Sequence, residues 1–399
     1  MIQRKEYLDR LIAWKDKHVI KVITGIRRCG KSSLLELFKE YLTESCGVDS
    51  AQIIAVDFEN MSNTHLRDKH VLHEYVISLI QPGKKSYVFF DEIQNVADFE
   101  QVVDSLFLRK ELDIYITGSN AFFLSGELAT LLSGRYITIE MLPLSFAEYS
   151  TATKDNKSVS SKYREYIERS SFPYVTELAG DKKNTDDYLR GIYSTVVLKD
   201  IMQHNKFNDL MQLESVLRFL YDNIANLLST KSIADTMTSN GRKIDVKTVE
   251  KYLSAFTNSF IIYQAKRYDI KGKQYLKTLE KYYATDIGLR FTLLGRQNYD
   301  EGRILENIVY LELLRRGYDV YVGKVDSKEV DFVAVTSQGT AYFQVAATVR
   351  NQATLERELA SLKAITDHYP KLLLTLDDTP ETNFGGIRKL NVLDWLLDK

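Results

Sequence analysis

Between an apolar run, Val19 to Thr24, and a stretch with helical spacing, Ser32 to Leu42, the chain reads Gly25-Ile26-Arg27-Arg28-Cys29-Gly30-Lys31-Ser32. This is the pattern G-x-x-x-x-G-K-[ST] in the strand–loop–helix setting that gives it meaning. Gly25 and Gly30 let the backbone wrap an anion without side-chain clash, so that amide groups point inward. The helix that starts near Lys31 adds the positive end of its dipole. Lys31 supplies a cation for β and γ phosphates, and the Ser32 hydroxyl is placed to ligate Mg²⁺. Gly25, Ile26, Arg27, Arg28, Cys29, Gly30, Lys31, Ser32 and Ser33 are therefore the expected cradle for ATP.

Two further strands end in chemistry. Tyr87-Val88-Phe89-Phe90-Asp91-Glu92 is an apolar run closing on two acids. Asp91 suits the Mg²⁺ shell with Ser32, and Glu92 suits the activation of an attacking water. Ile114-Tyr115-Ile116-Thr117-Gly118-Ser119-Asn120 ends in three polar side chains. One of Thr117, Ser119 or Asn120 is expected to sense the γ-phosphate, with Ser119 carried forward as the catalytic candidate, against an ordinary strand-end turn. Runs at Ile53 to Phe58 and Tyr136 to Met141 complete five strands, alternating with helices through Leu72, Val76 and Leu79. That alternation predicts a parallel sheet covered on both faces, an α/β fold. An amphipathic helix over the first 17 residues, with Leu8, Leu11 and Ile12 on one side, precedes it.

At 399 residues the chain is long enough for two or three domains. A net charge of −1 excludes a wholly basic nucleic-acid binder but leaves room for a local basic patch. Two cysteines, Cys29 and Cys46, cannot build a disulfide framework, which fits a reducing compartment. The opening residues carry no apolar export signal, and no run approaches the roughly 18 apolar residues of a membrane span. A cytoplasmic protein without membrane contact is expected. Texture changes near Ser150, where Lys154 to Lys162 is polar and reads as a surface loop or boundary. Tyr163 to Leu228 reads as helical, with Ile192, Val196, Val197 and Ile201 as an apolar stripe.

Leu132-Ser133-Gly134-Arg135 stands immediately before the fifth strand. Here the chain resembles the AAA+ and related ATPases, in which an arginine before the fifth core strand reaches a neighbouring subunit's γ-phosphate. The resemblance implies that Arg135 is a finger or sensor, and with it a homo-oligomer. The plainer alternative is a surface arginine paired with Glu140 or Glu127. The ordered set widens the likeness: Phe-Phe-Asp-Glu-Ile-Gln (89–94), Thr-Gly-Ser-Asn-Ala (117–121), Pro-Leu-Ser-Phe-Ala-Glu (143–148), Leu-Lys-Asp-Ile (198–201), Gly-Arg-Ile-Leu-Glu-Asn (302–307) and Glu-Val-Asp-Phe (329–332). Together they resemble a group of bacterial and archaeal AAA+-like ATPases. The C-terminal half of that group is a domain of unknown function related to the PD-(D/E)XK nucleases.

Ser229 to Asn240 and Asp245 to Phe260 read as the two helices of a winged helix, with Ile261 to Tyr283 as the wing. Gly241 to Lys281 holds ten Lys/Arg and four Asp/Glu, a local balance of +6. Arg242, Lys243, Lys247 and Lys251 would open the recognition helix, and Lys266, Arg267, Lys271 and Lys273 would decorate the wing, a footprint for DNA. The alternative is a packing module whose charges are merely solvated. Residues 300 to 399 return to mixed α and β.

In the nuclease-like arrangement a helix glutamate, a strand aspartate and an acidic-x-lysine triplet bind a divalent metal. The resemblance places these at Glu306, at Asp331 with Glu329 on the same face, and at Gln344-Val345-Ala346. The acid of the triplet is an amide and its lysine an alanine, so the cation is missing from its usual place. Glu306, Asp331 and Gln344 stay as a candidate second metal set, or as the remnant of one. The expectation is a P-loop domain over 1–150, a helical connector over 151–228, a winged-helix module over 229–299 and a nuclease-like domain over 300–399. ATP and Mg²⁺ would be the cofactors and ATP hydrolysis the activity, with an ATP-gated nuclease or an ATP-switched DNA-binding protein as rivals.

Overall fold

A computed structural model of the chain describes residues 2–121, 132, 134–153, 155–178, 181–203, 205–296 and 299–398. Glu127, Ser133 and Lys154, which entered the sequence reading, lie outside them. Two compact units divide the chain: Met1–Pro143 with Asn258–Phe260, and Leu144–Thr257 with Ile261–Lys399.

The first unit opens with helix α1, Lys5–Trp14, followed by β1, Ile20–Thr24, and α2, Lys31–Glu40. Then come β2, Ile53–Asp57; α3, Lys69–Leu79; β3, Ser86–Asp91; and α4, Phe99–Phe107. The last two strands are β4, Leu112–Gly118, and β5, Tyr136–Glu140. All neighbours are parallel and the order is β2-β3-β4-β1-β5. Burial follows position in the sheet. Central β1 and β4 are buried at every residue, whereas edge strand β2 alternates. A strand covered on both faces has no solvent side and reads as a continuous apolar run. Lys21, inside β1, is tolerated because its ammonium pairs with Asp113. Ile20, Val22, Val56, Val88, Phe90, Ile116 and the inner faces of α3 and α4 share one core. Every loop carrying a candidate residue for ATP, apart from Arg135, leaves the carboxyl end of this sheet.

The second unit begins with α5, Phe146–Ala152; α6, Val159–Arg169; and α7, Lys182–Ser194, which continues as a π-helical turn, Thr195–Gln203. The expected stripe Ile192, Val196, Val197, Ile201 is buried. Next are α8, Leu210–Asp222; α9, Thr230–Ser239; and α10, Val246–Asn258. Ser229 caps α9 through a reciprocal bond with Ser232, the local reason the helix starts there. A hairpin follows, β6, Ile262–Asp269, and β7, Gln274–Ala284, and then α11, Ile287–Leu294, and α12, Glu301–Arg315. The chain closes with β8, Asp319–Val325; β9, Lys328–Thr336; β10, Gly339–Ala346; α13, Gln352–Lys363; β11, Lys371–Thr375; β12, Thr382–Phe384; β13, Ile387–Asn391; and α14, Val392–Leu396.

The hairpin expected as a free-standing wing is the edge of an eight-stranded sheet ordered β12-β13-β11-β10-β9-β8-β6-β7. Arg267, Tyr268 and Asp269 of β6 run parallel to Val322, Gly323 and Lys324 of β8. The structure therefore joins the segments 229–299 and 300–399 by strand pairing, where the sequence suggested a boundary. Unpaired edge amides seek partners, and β8 supplies them.

Candidate functional site

In the first unit the loop geometry follows from two glycines. Gly25 sits at φ +143° and Gly30 at φ +106°, both left-handed-side conformations. A Cβ on Gly25 would stand 2.1 Å from the Met141 carbonyl oxygen, so no other residue fits there without moving the backbone. Lys31 begins α2 and is buried; its ammonium donates to Gly25 O at 3.1 Å and lies 3.4 Å from Glu92 Oε1. Burial disfavours that ammonium, but Glu92 and its neighbours outweigh burial and raise Lys31 above the usual lysine range. Cys29 is enclosed, and burial pushes its thiol up, so it is an inert filler of the loop. Ser32 and Ser33 face outward on the first turn of α2.

Asp91 ends β3 with its carboxyl bonded by the Ser32 and Thr117 hydroxyls. Thr117 Oγ1 lies 2.5 Å from Asp91 Oδ1 and accepts the Glu92 backbone N–H at 2.8 Å. Burial pushes the Asp91 carboxyl up despite these bonds. The Asp91 carboxylate at a strand end and the Ser32 hydroxyl on the first turn of α2 form the hard, all-oxygen donor pair that Mg²⁺ takes, so the residues present fit that ion. Glu92 is buried with a left-handed backbone, φ 54° and ψ 49°. Burial works to raise its carboxyl; Lys31, Arg27, Gln94 and Ser119 outweigh it and hold the group below its ordinary value. The site thus holds a carboxylate that stays ionised, beside a cation.

Of the three polar candidates on β4, Thr117 ties Asp91 to Glu92. Ser119 is buried beside Gln94 and Glu92, its Oγ accepting from Gln94 Nε2 at 3.4 Å. Asn120 lies just beyond them, partly exposed. Two contributors escaped the sequence reading. Gln94 donates to Glu92 Oε2 at 2.5 Å; its place inside the 89–94 segment was the available signal. Arg4, only 2% exposed, donates to Cys29 O at 2.8 Å and Leu142 O at 2.6 Å, pinning the phosphate loop from the N-terminal segment. The buried positions of α1 are Tyr7 and Leu11, with Arg4 one turn before, where apolar residues alone had pointed to Leu8, Leu11 and Ile12.

Arg135 lies elsewhere. Its carbonyl accepts from Ile20, the first residue of β1, and β5 runs parallel to β1 from Ile20 opposite Tyr136 to Thr24 opposite Glu140. Four residues at about 3.3 Å each put it some 13 Å from the phosphate loop, at the opposite edge of the sheet. Its guanidinium pairs with Asp104 and lies 5.7 Å from the Phe107 ring centroid. Neither Glu140 nor Glu127 was needed to account for a surface pairing. In this geometry Arg135 does not reach its own chain's loop.

The second unit gathers Glu306 of α12, Glu329 and Asp331 of β9, and one residue the sequence did not single out. Lys281 of β7 places its ammonium 2.8 Å from Glu306 Oε1, 2.7 Å from Glu329 Oε1 and 3.8 Å from Asp331 Oδ1. Burial opposes that charge, but the three acids outweigh it and raise Lys281 well above the lysine range. Burial also pushes Asp331 and Glu306 up. Gln344 accepts from the Asp331 backbone N–H at 3.4 Å and from Ser361 Oγ at 3.2 Å, and donates to Glu358 Oε2 at 2.8 Å. Ala346 is packed in an apolar cluster with Leu359 and Leu373. Within the expected metal set, the Lys281 ammonium thus stands beside the Glu306 and Asp331 carboxylates, and the Gln344 side chain is taken up by Asp331 N–H, Glu358 and Ser361. Among the described residues no group of three or more His, Cys, Asp or Glu is arranged to hold a metal ion. A cavity of about 440 Å³ opens beside Glu329, Asp331 and Gln344. Among the described residues no helix is long and apolar enough to cross a membrane.

Comparison with known proteins agrees with this layout. Residues 17–150 match a family described as "AAA domain", and residues 160–300 match one described as "Domain of unknown function (DUF8612)". An uncharacterized protein of Haemophilus influenzae is 41% identical over 401 residues, covering 100% of this chain and 99% of its own. An uncharacterized protein of Methanocaldococcus jannaschii is 29% identical over 366 residues, covering 87% of this chain and 79% of its own. Among solved structures, a Walker-type ATPase of Pyrococcus abyssi superposes with a TM-score of 0.53 at 15% identity, covering 73% of this chain and 96% of that one. That likeness is one of fold.

Proposed function

The chain belongs along its whole length to the family of the Haemophilus influenzae protein, a family with an AAA+-like P-loop ATPase domain, and from that premise we propose that it hydrolyses ATP to drive a DNA-directed switch. The observation that carries the hydrolysis is the convergence of Lys31, Asp91, Glu92 and Thr117 at the carboxyl end of one parallel sheet. Lys31, now held by Gly25 O and Glu92, is the cation that turns to the β and γ phosphates. The loop amides from Gly25 to Ser33 and the α2 dipole hold the triphosphate. Ser32 and Asp91 would hold Mg²⁺, which when bound offsets phosphate charge. Glu92, ionised and rigid, takes the proton of the attacking water as that water approaches the γ-phosphorus in line with the leaving oxygen. Thr117 fixes the two acids relative to each other.

DNA enters through the second unit. Helices α9 and α10 with the hairpin β6–β7 follow the order of a winged helix, and Arg242, Lys243, Lys247 and Lys251 are all exposed. Charges so placed suit phosphate contact. The cluster around Lys281 gives a metal-dependent nuclease less support, because among the described residues no group of three or more His, Cys, Asp or Glu is arranged to hold a metal ion.

One experiment tests the reading: phosphate release by the full chain with Mg²⁺, with and without duplex DNA, for the native protein and Glu92→Gln. The variant should bind ATP as before and turn over about 10² to 10⁴ times more slowly, the worth of a general base. DNA should raise the native rate. Undiminished turnover in Glu92→Gln rejects the assignment of the base, and a rate indifferent to DNA rejects the switch.

A further inference from the structure

Gln94 belongs to a short turn, Ile93–Asn95, that begins at the left-handed Glu92. Asn95 closes the turn by donating its side-chain Nδ2 to Glu92 O at 3.0 Å, and Ile93 and Val96 anchor it in the core. The reversal returns residue 94 to the side of the carboxylate it follows. A carboxylate only accepts, so the Gln94 amide presents its nitrogen: Nε2 donates to Glu92 Oε2 at 2.5 Å and to Ser119 Oγ at 3.4 Å. The amide oxygen is buried and has no hydrogen-bond partner among the described residues.

A buried acceptor left without a donor is costly, and such groups persist where a ligand supplies the missing donor. The geometry points to the attacking water as that donor, and we propose that Gln94 is a water-positioning residue of the ATP site. The inference rests on the hydrolytic reading above and adds to it. Glu92 Oε1 faces Lys31 at 3.4 Å while Oε2 is held by Gln94. Once Lys31 turns to the phosphates, Oε1 is released and Oε2 stays clamped. Two fixed acceptors then remain, Glu92 Oε1 and the Gln94 amide oxygen, for the two protons of one water. The water oxygen's lone pair forms the new bond to the γ-phosphorus. The bond from that phosphorus to the bridging oxygen breaks, its electron pair leaving on the β-phosphate of ADP. One water proton passes to Glu92; the other remains on the new inorganic phosphate, having been steered by the Gln94 oxygen.

The test compares Gln94→Met, which keeps the volume and removes both polar atoms, with Gln94→Leu, Glu92→Gln and the native chain. Steady-state kinetics are read beside ATP affinity by calorimetry with Mg²⁺. Gln94→Met should lower kcat by about 10²-fold with ATP affinity within about twofold of native. Gln94→Leu, which likewise removes both polar atoms, should show the same fall in kcat at unchanged ATP affinity. A role confined to packing would weaken folding and ATP binding together and leave kcat near native in the folded fraction. Native-like kcat in Gln94→Met, with Glu92→Gln inactive, overturns the role of Gln94 and spares the hydrolytic reading. No turnover by the native chain overturns both. Should Gln94→Met not fold, native-like kcat in Gln94→Leu is the overturning result.

Discussion

Arg4 shows how a single side chain can carry a constraint that no motif announces. Its guanidinium, shut away from water, bonds backbone carbonyls of the phosphate loop and of the segment after β5, and lies 5.0 Å from the Tyr7 ring centroid. Arg→Met would keep much of the volume and leave buried carbonyl oxygens without donors, at about 1–3 kcal/mol each. Arg4→Met should therefore lose about 2–4 kcal/mol in urea unfolding and bind ATP more weakly, since Cys29 O lies within the loop itself. Loss of stability with unchanged ATP affinity would separate Arg4 from the loop. The reason the sequence hid this residue is physical. A charged side chain near the N-terminus defaults to solvent, and its partners are carbonyls far along the chain, which leave no trace in spacing. Gly25, Lys31, Asp91 and Glu92 were legible because each is demanded locally, by a turn, an anion or a strand end.

At the scale of elements, the decisive placement is β7 at the edge of the eight-stranded sheet, because it delivers Lys281 into the acids of α12 and β9. Removing one member of a buried ion cluster strands the others, at about 3–5 kcal/mol. Lys281→Met should show that loss near neutral pH. The pH dependence has a defined sign. Glu306 and Asp331 have folded-state pKa values raised above their ordinary 4.5 and 3.8, with burial the largest cause. Their contribution to stability is full below those ordinary values and is lost as pH rises through the raised ones. Without Lys281 both rise further, so the deficit of Lys281→Met against native should shrink as pH falls toward the carboxylate range. A deficit that is constant with pH would mean the lysine packs without neutralising. The sequence placed the hairpin within Ile261 to Tyr283 and read residues 300 to 399 as mixed α and β, as the structure has them. Periodicity is blind to which strand pairs with which, however, so it gave no sign that Lys281 of β7 would meet the acids of α12 and β9. The short β12, β13 and α14 were missed for a simpler reason: three to five residues are too few to show a period.

For the whole molecule the open partner of Arg135 matters most. The strand order puts this arginine at the amino-terminal edge of β5 and the phosphate loop at the carboxyl end of β1, so one chain cannot bring them together without unmaking its sheet. Two roles remain compatible with that separation. Paired with Asp104 and half exposed, Arg135 is worth at most about 1 kcal/mol of stability. Presented to the ATP of a second copy, it would be worth about 10³ to 10⁵ in rate. The two differ so widely that a modest assay divides them. Arg135→Ala should bind ATP normally and hydrolyse it poorly, and Lys31→Ala should do neither. Mixed, the two should recover activity, because a native loop in one chain can then meet a native arginine from the other. Recovery should rise with total protein concentration, as an encounter between chains requires. An Arg135→Ala protein that hydrolyses ATP at the native rate would return the residue to its pairing with Asp104 and remove the case for contact between subunits.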